Sequence, residues 1–139
     1  MKELSIKGRV FPSDLNHNGS VFGGWIMSKM DKACSIAVES IIRGKAVTVH
    51  VSEINFKKPV YNGNVFIIYT EIVALGKSSI TIDVDMNVID NITCEERDVT
   101  TAQFKFVSVD DSGNSIPLLA VMRPNVPDYV KELLKSDIS

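Results

Sequence analysis

Cysteine is nearly absent from this chain. Cys34 and Cys94 are the only two in 139 residues. They are too few for a disulfide framework and lack metal-ligand spacing, so both read as free thiols of a reducing compartment. Histidine is equally scarce, and the separation of His17 from His50 forms no metal site. No apolar run approaches the roughly 18 residues of a membrane-spanning helix. The N-terminal MKELSIKGRVF is interrupted by charges and lacks the apolar core of a secretory signal. A net charge of −2, from 15 Lys and Arg against 17 Asp and Glu, argues against a broad electrostatic grip on nucleic acid. G-x-S-x-G and the P-loop are missing, which removes the common serine-hydrolase and nucleoside-triphosphate readings. The expectation is a cytoplasmic protein with no nucleic-acid, membrane or metal partner.

What is present is ordinary in amount and patterned in sequence. Hydrophobic residues make up 45% of the chain, and this length suits one domain that buries a core without staples. Residues 4–11 read as a short strand ending at Pro12, and PSDLNHNGS is a cluster of turn formers. Over residues 24–43 the period is helical. Met27, Met30, Cys34, Ala37 and Ile41 recur at three- and four-residue steps, with Lys29, Lys32, Glu39, Ser40 and Arg43 opposite. Gly44 is a natural stop.

The remainder reads as β. In VTVHVSEINF, Val47, Val49 and Val51 share one face, with Thr48, His50 and Ser52 on the other, before Ile54 and Phe56 take over the apolar load. That slip predicts a bulge near Ser52 and Glu53. NVFIIYTEIVAL is apolar on both faces, which predicts cover on both sides, one of them from another subunit. SITIDVDMNVI alternates cleanly, and residues 99–109 place Ala102, Phe104 and Phe106 on one face. A short helix is expected over residues 128–135. Strand, long helix and four antiparallel strands make a two-layer α+β domain, the sheet curved around the helix. The core is expected over about residues 4–110, with an extension over 111–139. Cystatin-like and hotdog folds share this order.

Asp31 is the residue that most needs a reason. At about 100° per residue it lies on the border of the apolar stripe, near Met27 and Val38. It is either a flank residue reaching water, or a carboxylate acting in a cleft as base or nucleophile. Aspartate is a mediocre former mid-helix and sits too deep here to gain from the helix dipole. Gly23 and Gly24 either serve tight packing or let a ligand reach the first free N–H groups of the helix, where an oxyanion can be held. Gly24 and Asp31 are separated by about 10 Å of helical rise. One subunit's carboxylate is then poorly placed for a carbonyl held at its own helix start, and a neighbouring subunit could supply the other half. Asn16 and Asn18 either build the turn or, for Asn16, orient water or polarise a carbonyl.

The string PSDLNHNGSVFGGWIMSKMD, followed by GKAVTVHVSEINFKKPVYNGNV and GKSSI, resembles the hotdog-fold acyl-CoA thioesterases of the YciA type, over residues 12–109. The resemblance implies a hotdog fold, one long helix wrapped by an antiparallel sheet. It implies hydrolysis of acyl-CoA to free acid and coenzyme A, the latter being part of substrate and product, with no separate cofactor. It further implies edge-to-edge dimers with sites between protomers, assembled three to a hexamer. Asp31 then matches the catalytic carboxylate, Asn16 a catalytic asparagine, and Gly24 the backbone N–H that polarises the thioester. Asn18, Phe22 and Gly23 fall to the substrate site. Lys57, Lys58, Lys77 and Ser78 fall near the nucleotide end of coenzyme A, although a solvated surface lysine is the simpler account of any one. Ser20 stands where relatives often have an acid, and the stretch around His50 and Ser52 departs from the pattern. Both departures bear on acyl preference.

Two rivals remain at this point. A hotdog hydratase or dehydratase needs a histidine near the helix, and neither His17 nor His50 is well placed for that. A non-catalytic ligand-binding module of cystatin-like shape needs only the cleft.

Overall fold

The computed structural model describes residues 2–138. Its elements are β1 (Glu3–Arg9), a 3-10 turn (Pro12–Asp14), α1 (Gly23–Glu39), β2 (Lys45–Phe56), β3 (Val65–Leu75), β4 (Ser79–Ile89), β5 (Glu96–Val109), α2 (Leu118–Val121) and α3 (Asp128–Ile138). One antiparallel sheet carries the strands in the order β1-β3-β4-β5-β2, so β1 and β2 are its edges. The sheet curves about α1, which touches all five strands.

The apolar stripe of α1 explains the wrap. Ile26, Met30, Ala33, Cys34 and Val38 are buried, at the three- and four-residue steps of one helical face. They meet Ile80, Ile82, Val84, Met86 and Val88 of β4, whose alternation is unbroken. The stripe is turned slightly from the expected one, with Ile26 and Ala33 inside where Met27 and Ala37 are half-buried.

The helix also stops earlier than residue 43. Ser40 turns its hydroxyl onto the Ala37 carbonyl at 2.6 Å. The next residues pair with the returning C-terminal segment instead of continuing the spiral: Ile42 bridges Met122, Arg43 N–H donates to the Val121 carbonyl, and Arg123 N–H to that of Ile41. Arg123 Nε donates to the Glu39 carbonyl at 2.9 Å, supplying a cationic partner to a helix end that has no basic residue of its own. Gly44, at φ 86°, then swings the chain into β2.

That returning segment corrects the expected division at residue 110. Leu118, Val126 and Val130 belong to the main buried cluster, each contributing about 1.5–3 kcal/mol of transfer free energy when fully covered. The segment after β5 is a strap that closes the core, and its last helix, α3, packs on β3 and extends beyond the expected residue 135 to Ile138. The two-sided cover expected for β3 is found only in part. Ile67 is the outward residue of β3 that is buried, whereas Tyr69, Glu71 and Val73 are half-exposed.

β2 departs most from its sequence pattern. The expected bulge is there: the register shifts between Ser52 and Asn55, with Glu53 at φ 56°. A second shift lies between Thr48 and His50. Thr48 stands opposite the buried Phe106, on the helix side, while His50 stands opposite the exposed Lys105, on the outer face. Thr48 and His50 therefore do not share a face. Val47 and Val49, expected to share a face with Val51, are 46% and 51% exposed along an edge strand, whereas Val51 is half-buried.

Candidate active site

The loop before α1 is built by Asn16. Its Oδ1 accepts from the N–H groups of Asn18, at 2.9 Å, and Ser20, at 3.2 Å, while its Nδ2 donates to Ser20 Oγ at 3.4 Å. Both lone pairs of the carboxamide oxygen are thus occupied, and only N–H capacity is left over. Gly19, at φ 84°, completes the turn. Val21 N–H anchors it to the Val60 carbonyl at 2.9 Å. The turn-building role falls to Asn16, and Asn18 lies exposed beside it.

Phe22 caps α1 with extended backbone and no side-chain bond, its ring exposed. The first intrahelical bond runs from Ile26 N–H to the Phe22 carbonyl at 3.2 Å. The N–H groups of Gly23, Gly24 and Trp25 precede it, and such groups carry partial positive charge. The two glycines differ in kind. A Cβ on Gly23 would sit 3.3 Å from the Phe56 ring, whereas nothing lies within 4 Å of a Cβ on Gly24. Packing within the chain explains Gly23 and leaves Gly24 open to an incoming group. Beside this terminus Val21, Gly23, Ile26, Phe56, Lys57, Lys58, Pro59 and Val60 line a cavity of about 340 Å³. Lys57 is ion-paired to Asp98 at 2.8 Å, while Lys58 has no ion pair among the described residues.

Asp31 is half-buried, two turns into α1. Thr48 Oγ1 donates to its Oδ1 at 2.5 Å, and among the described residues Oδ2 has no partner. The carboxylate is therefore held by one oxygen and presents the other. Cys34, one turn on, is no competitor as a nucleophile: burial pushes its thiol far up, and the Asp31 charge pushes it further the same way. Thr48 is the residue that sequence reasoning missed as functional. The valines either side of it indicated the opposite face, and only the shift at Val49 turns the hydroxyl to the helix.

Lys77 and Ser78 lie elsewhere. They form the β3–β4 turn, whose carbonyls accept from Leu118 and Ser108 N–H. That is the end of the sheet where Ser79 pairs with Val107 and Lys45 with Val109. The α1 N-terminus is at the other end, against Phe56. One chain brings together Asn16, Asn18, Phe22, Gly23, Gly24, Lys57 and Lys58, and it separates Lys77 and Ser78 from them. Asp31 stands apart again, toward the Lys45 end of β2. His17 is exposed in the loop and His50 faces outward, so neither reaches the carboxylate side of the helix.

A family model for the thioesterase superfamily matches residues 18–95, which include α1 and the strand carrying Thr48. The chain belongs to that superfamily. It is 42% identical over 115 residues to an uncharacterized acyl-CoA thioester hydrolase of Haemophilus influenzae, covering 81% of this chain and 75% of that one. To the acyl-CoA thioester hydrolase YciA of Salmonella typhimurium it is 36% identical over 119 residues, 84% and 90% of the two chains. In structure it is similar to a hexameric broad-specificity acyl-coenzyme A thioesterase, solved as an aspartate-to-alanine mutant. The TM-score is 0.83 and the identity 35%, with 96% of each chain covered. The sheet-wrapped helix is the hotdog fold.

Proposed function

We propose that this protein hydrolyses acyl-CoA thioesters at a site shared by two protomers, with Asp31 of one and the α1 N-terminus of the other as its two halves. The observation that carries this is the placement of both halves along one free edge. Thr48, which holds Asp31, and Phe56, which abuts Gly23, lie toward opposite ends of β2. An antiparallel pairing of β2 with its copy, about a two-fold near Ser52, sets Thr48 opposite Phe56 of the partner subunit. Asp31 then faces Gly24 of the partner subunit. The exposed Val47 and Val49 become interface, and an edge of unpaired backbone groups is satisfied.

The chemistry follows from these groups. The carbonyl oxygen of the thioester sits at the free N–H groups of Gly23 and Gly24, which stabilise the developing oxyanion. The spare N–H of Asn16 adds a neutral donor. Asp31, fixed through Oδ1, uses Oδ2 to take a proton from water, which attacks the carbonyl carbon. The tetrahedral intermediate expels the coenzyme A thiolate and leaves the free acid. A thioester is activated enough that water and these groups suffice, with no separate cofactor. Lys58 faces the coenzyme A side of the cleft. Three such dimers form a hexamer, as in the structural relative, and the enzyme works in the cytoplasm. Among the described residues no helix is long and apolar enough to cross a membrane.

The test is thiol release from short, medium and long acyl-CoAs. Wild type should hydrolyse them, and Asp31→Asn should lose about 10²–10⁴ in kcat. Thioesters that all survive the wild-type protein would remove the reading. Full activity in Asp31→Asn would reassign the base.

A further inference from the structure

We infer that the Trp25 side chain is a positioning group for the reaction: set edge-on against Phe66, it fixes the direction in which the first N–H groups of α1 point. This rests on the thioesterase reading above and adds what keeps its oxyanion donors in place. The start of α1 is poorly made as a helix. Its N-cap, Phe22, makes no side-chain bond, its first turn holds no acidic residue, and its first two positions are glycines, the least helix-favouring residue after proline. A terminus without a cap frays. Donors for a developing negative charge, by contrast, work only when they are fixed before the reaction begins.

Ile26 is buried and ties this turn to the core, but one tie leaves the turn free to swing. Trp25, about 100° away round the helix, supplies a second. Its ring meets that of Phe66 in β3 with centroids 5.3 Å apart and planes at 83°, the edge-to-face arrangement that aromatic rings favour. Lys29, one turn on, sets its ammonium 5.4 Å from the Trp25 ring centroid, where the ring quadrupole attracts it. Phe66 is seated in turn on Gly8, its partner in the edge strand β1. A Cβ on Gly8 would come within 2.9 Å of the Phe66 ring. Gly8 is not among the glycines at positive φ, so room for that ring, not backbone freedom, is what glycine provides here. Contact therefore runs from Gly8 through Phe66 to Trp25 and the free N–H groups. From the other side Gly23 lies against Phe56 of β2, so both flanks of the sheet grip the helix start.

The experiment measures kcat and KM for thiol release from the best acyl-CoA substrate, with melting temperature and tryptophan emission, on wild type and four variants. Trp25 is the only tryptophan of the chain, so emission reports this side chain alone. Gly8→Ala pushes the Phe66 ring off its seat and should shift the emission to longer wavelength. It should also lower kcat about tenfold with KM within about twofold, because displaced donors weaken the transition state more than the bound substrate. Trp25→Leu should lose at least as much, and Trp25→Phe, which restores a ring, should regain most of it. Val130, buried in α3, is the control: Val130→Ala should lower the melting temperature and leave kcat and emission as in wild type. Gly8→Ala or Trp25→Leu decides the matter where the other does not fold. Wild-type kcat in the folded variants, an unchanged emission in Gly8→Ala, or an equal fall of kcat in Val130→Ala overturns the positioning role and leaves the thioesterase reading intact. A wild-type protein inert on every acyl-CoA overturns both.

Discussion

The Thr48 hydroxyl donates to Asp31 Oδ1 at 2.5 Å, and that bond ties the middle of α1 to the edge strand of the sheet. It fixes a carboxylate that has no other partner among the described residues, and it does so on the strand proposed as the dimer edge. Thr48 is a positioning residue, since it acts only through Asp31. Thr48→Val keeps the shape and removes the donor. A hydrogen bond to a charged group is worth about 1.5–3 kcal/mol, and partial exposure of this pair argues for the lower end. The expected result is a fall in kcat of about tenfold with KM preserved. Thr48→Ser, which restores the donor, should recover most of the rate. Steady-state kinetics on the three proteins checks this, and a loss of equal size in Thr48→Ser assigns Thr48 to packing alone.

Gly24 separates stability from activity. No atom of its own chain lies within 4 Å of a Cβ placed there, and its φ is not among the positive values. Gly24→Ala should therefore leave stability unchanged or raise it by the ~0.4–1 kcal/mol that alanine gains at a compatible site, read as an unchanged or higher melting temperature. Activity should nonetheless drop, because the methyl group stands where the thioester approaches the helix. Thermal melts and thiol release on the same preparation test the pair of outcomes. A stable variant with full activity would place the oxyanion elsewhere.

Much of this was legible in the sequence, for identifiable reasons. α1 and β4 kept their periods because each buries one face against the other, and the Asn16–Asp31 string was read through its resemblance to a family that the chain belongs to. The first half of β2 was misread because a period-two pattern counts residues, and a bulge inserts one that pairs with nothing. Val47, Val49 and Val51 then read as one face and Thr48 and His50 as the other, when Val47 and Val49 lie along an open edge and Thr48 turns to the carboxylate while His50 faces outward. Valines on a free edge are apolar for a partner's sake, and a single sequence does not distinguish that from burial. Lys77 and Ser78 were placed near the nucleotide end of coenzyme A by resemblance alone, and the strand connections carry them to the end of the sheet away from their own chain's helix start. The strap after β5 was hidden because its burial is long-range: Leu118 and Val130 have no local period that announces it.

The two cysteines should respond differently to alkylation and to pH. Cys94 is exposed, and Cys34 is buried with its thiol pushed up, first by burial and then by the Asp31 charge. Native protein treated with iodoacetamide near neutral pH should gain one adduct, at Cys94, and keep its activity. In the unfolded chain Cys34 ionises at its ordinary value of 9.0, so its contribution to stability is complete below that pH. It declines as pH rises further, because only the unfolded state then releases the proton. Urea melts should show stability falling above about pH 9 in wild type, and a shallower fall in Cys34→Ala measured against its own neutral value. Rapid labelling of Cys34 in the folded protein would show that the helix–sheet contact opens readily.

Sharing the site between protomers gives the sharpest outcome. Asp31→Asn removes the base, and Gly24→Glu puts a negative charge where the oxyanion forms. If each site takes one half from each chain, both variants are inactive alone. A mixed dimer, by contrast, holds one site with both defects and one with neither. Unfolding and refolding an equal mixture should place half the chains in mixed dimers and restore about a quarter of wild-type activity. The restored activity should keep the wild-type KM, because the surviving sites are unmodified. Sites made within one chain would give no recovery at any mixing ratio. The same mixture therefore also tests the β2 pairing: Val49→Lys, added to both chains at the exposed edge, should abolish the recovery and shift the light-scattering mass below that of the parent assembly.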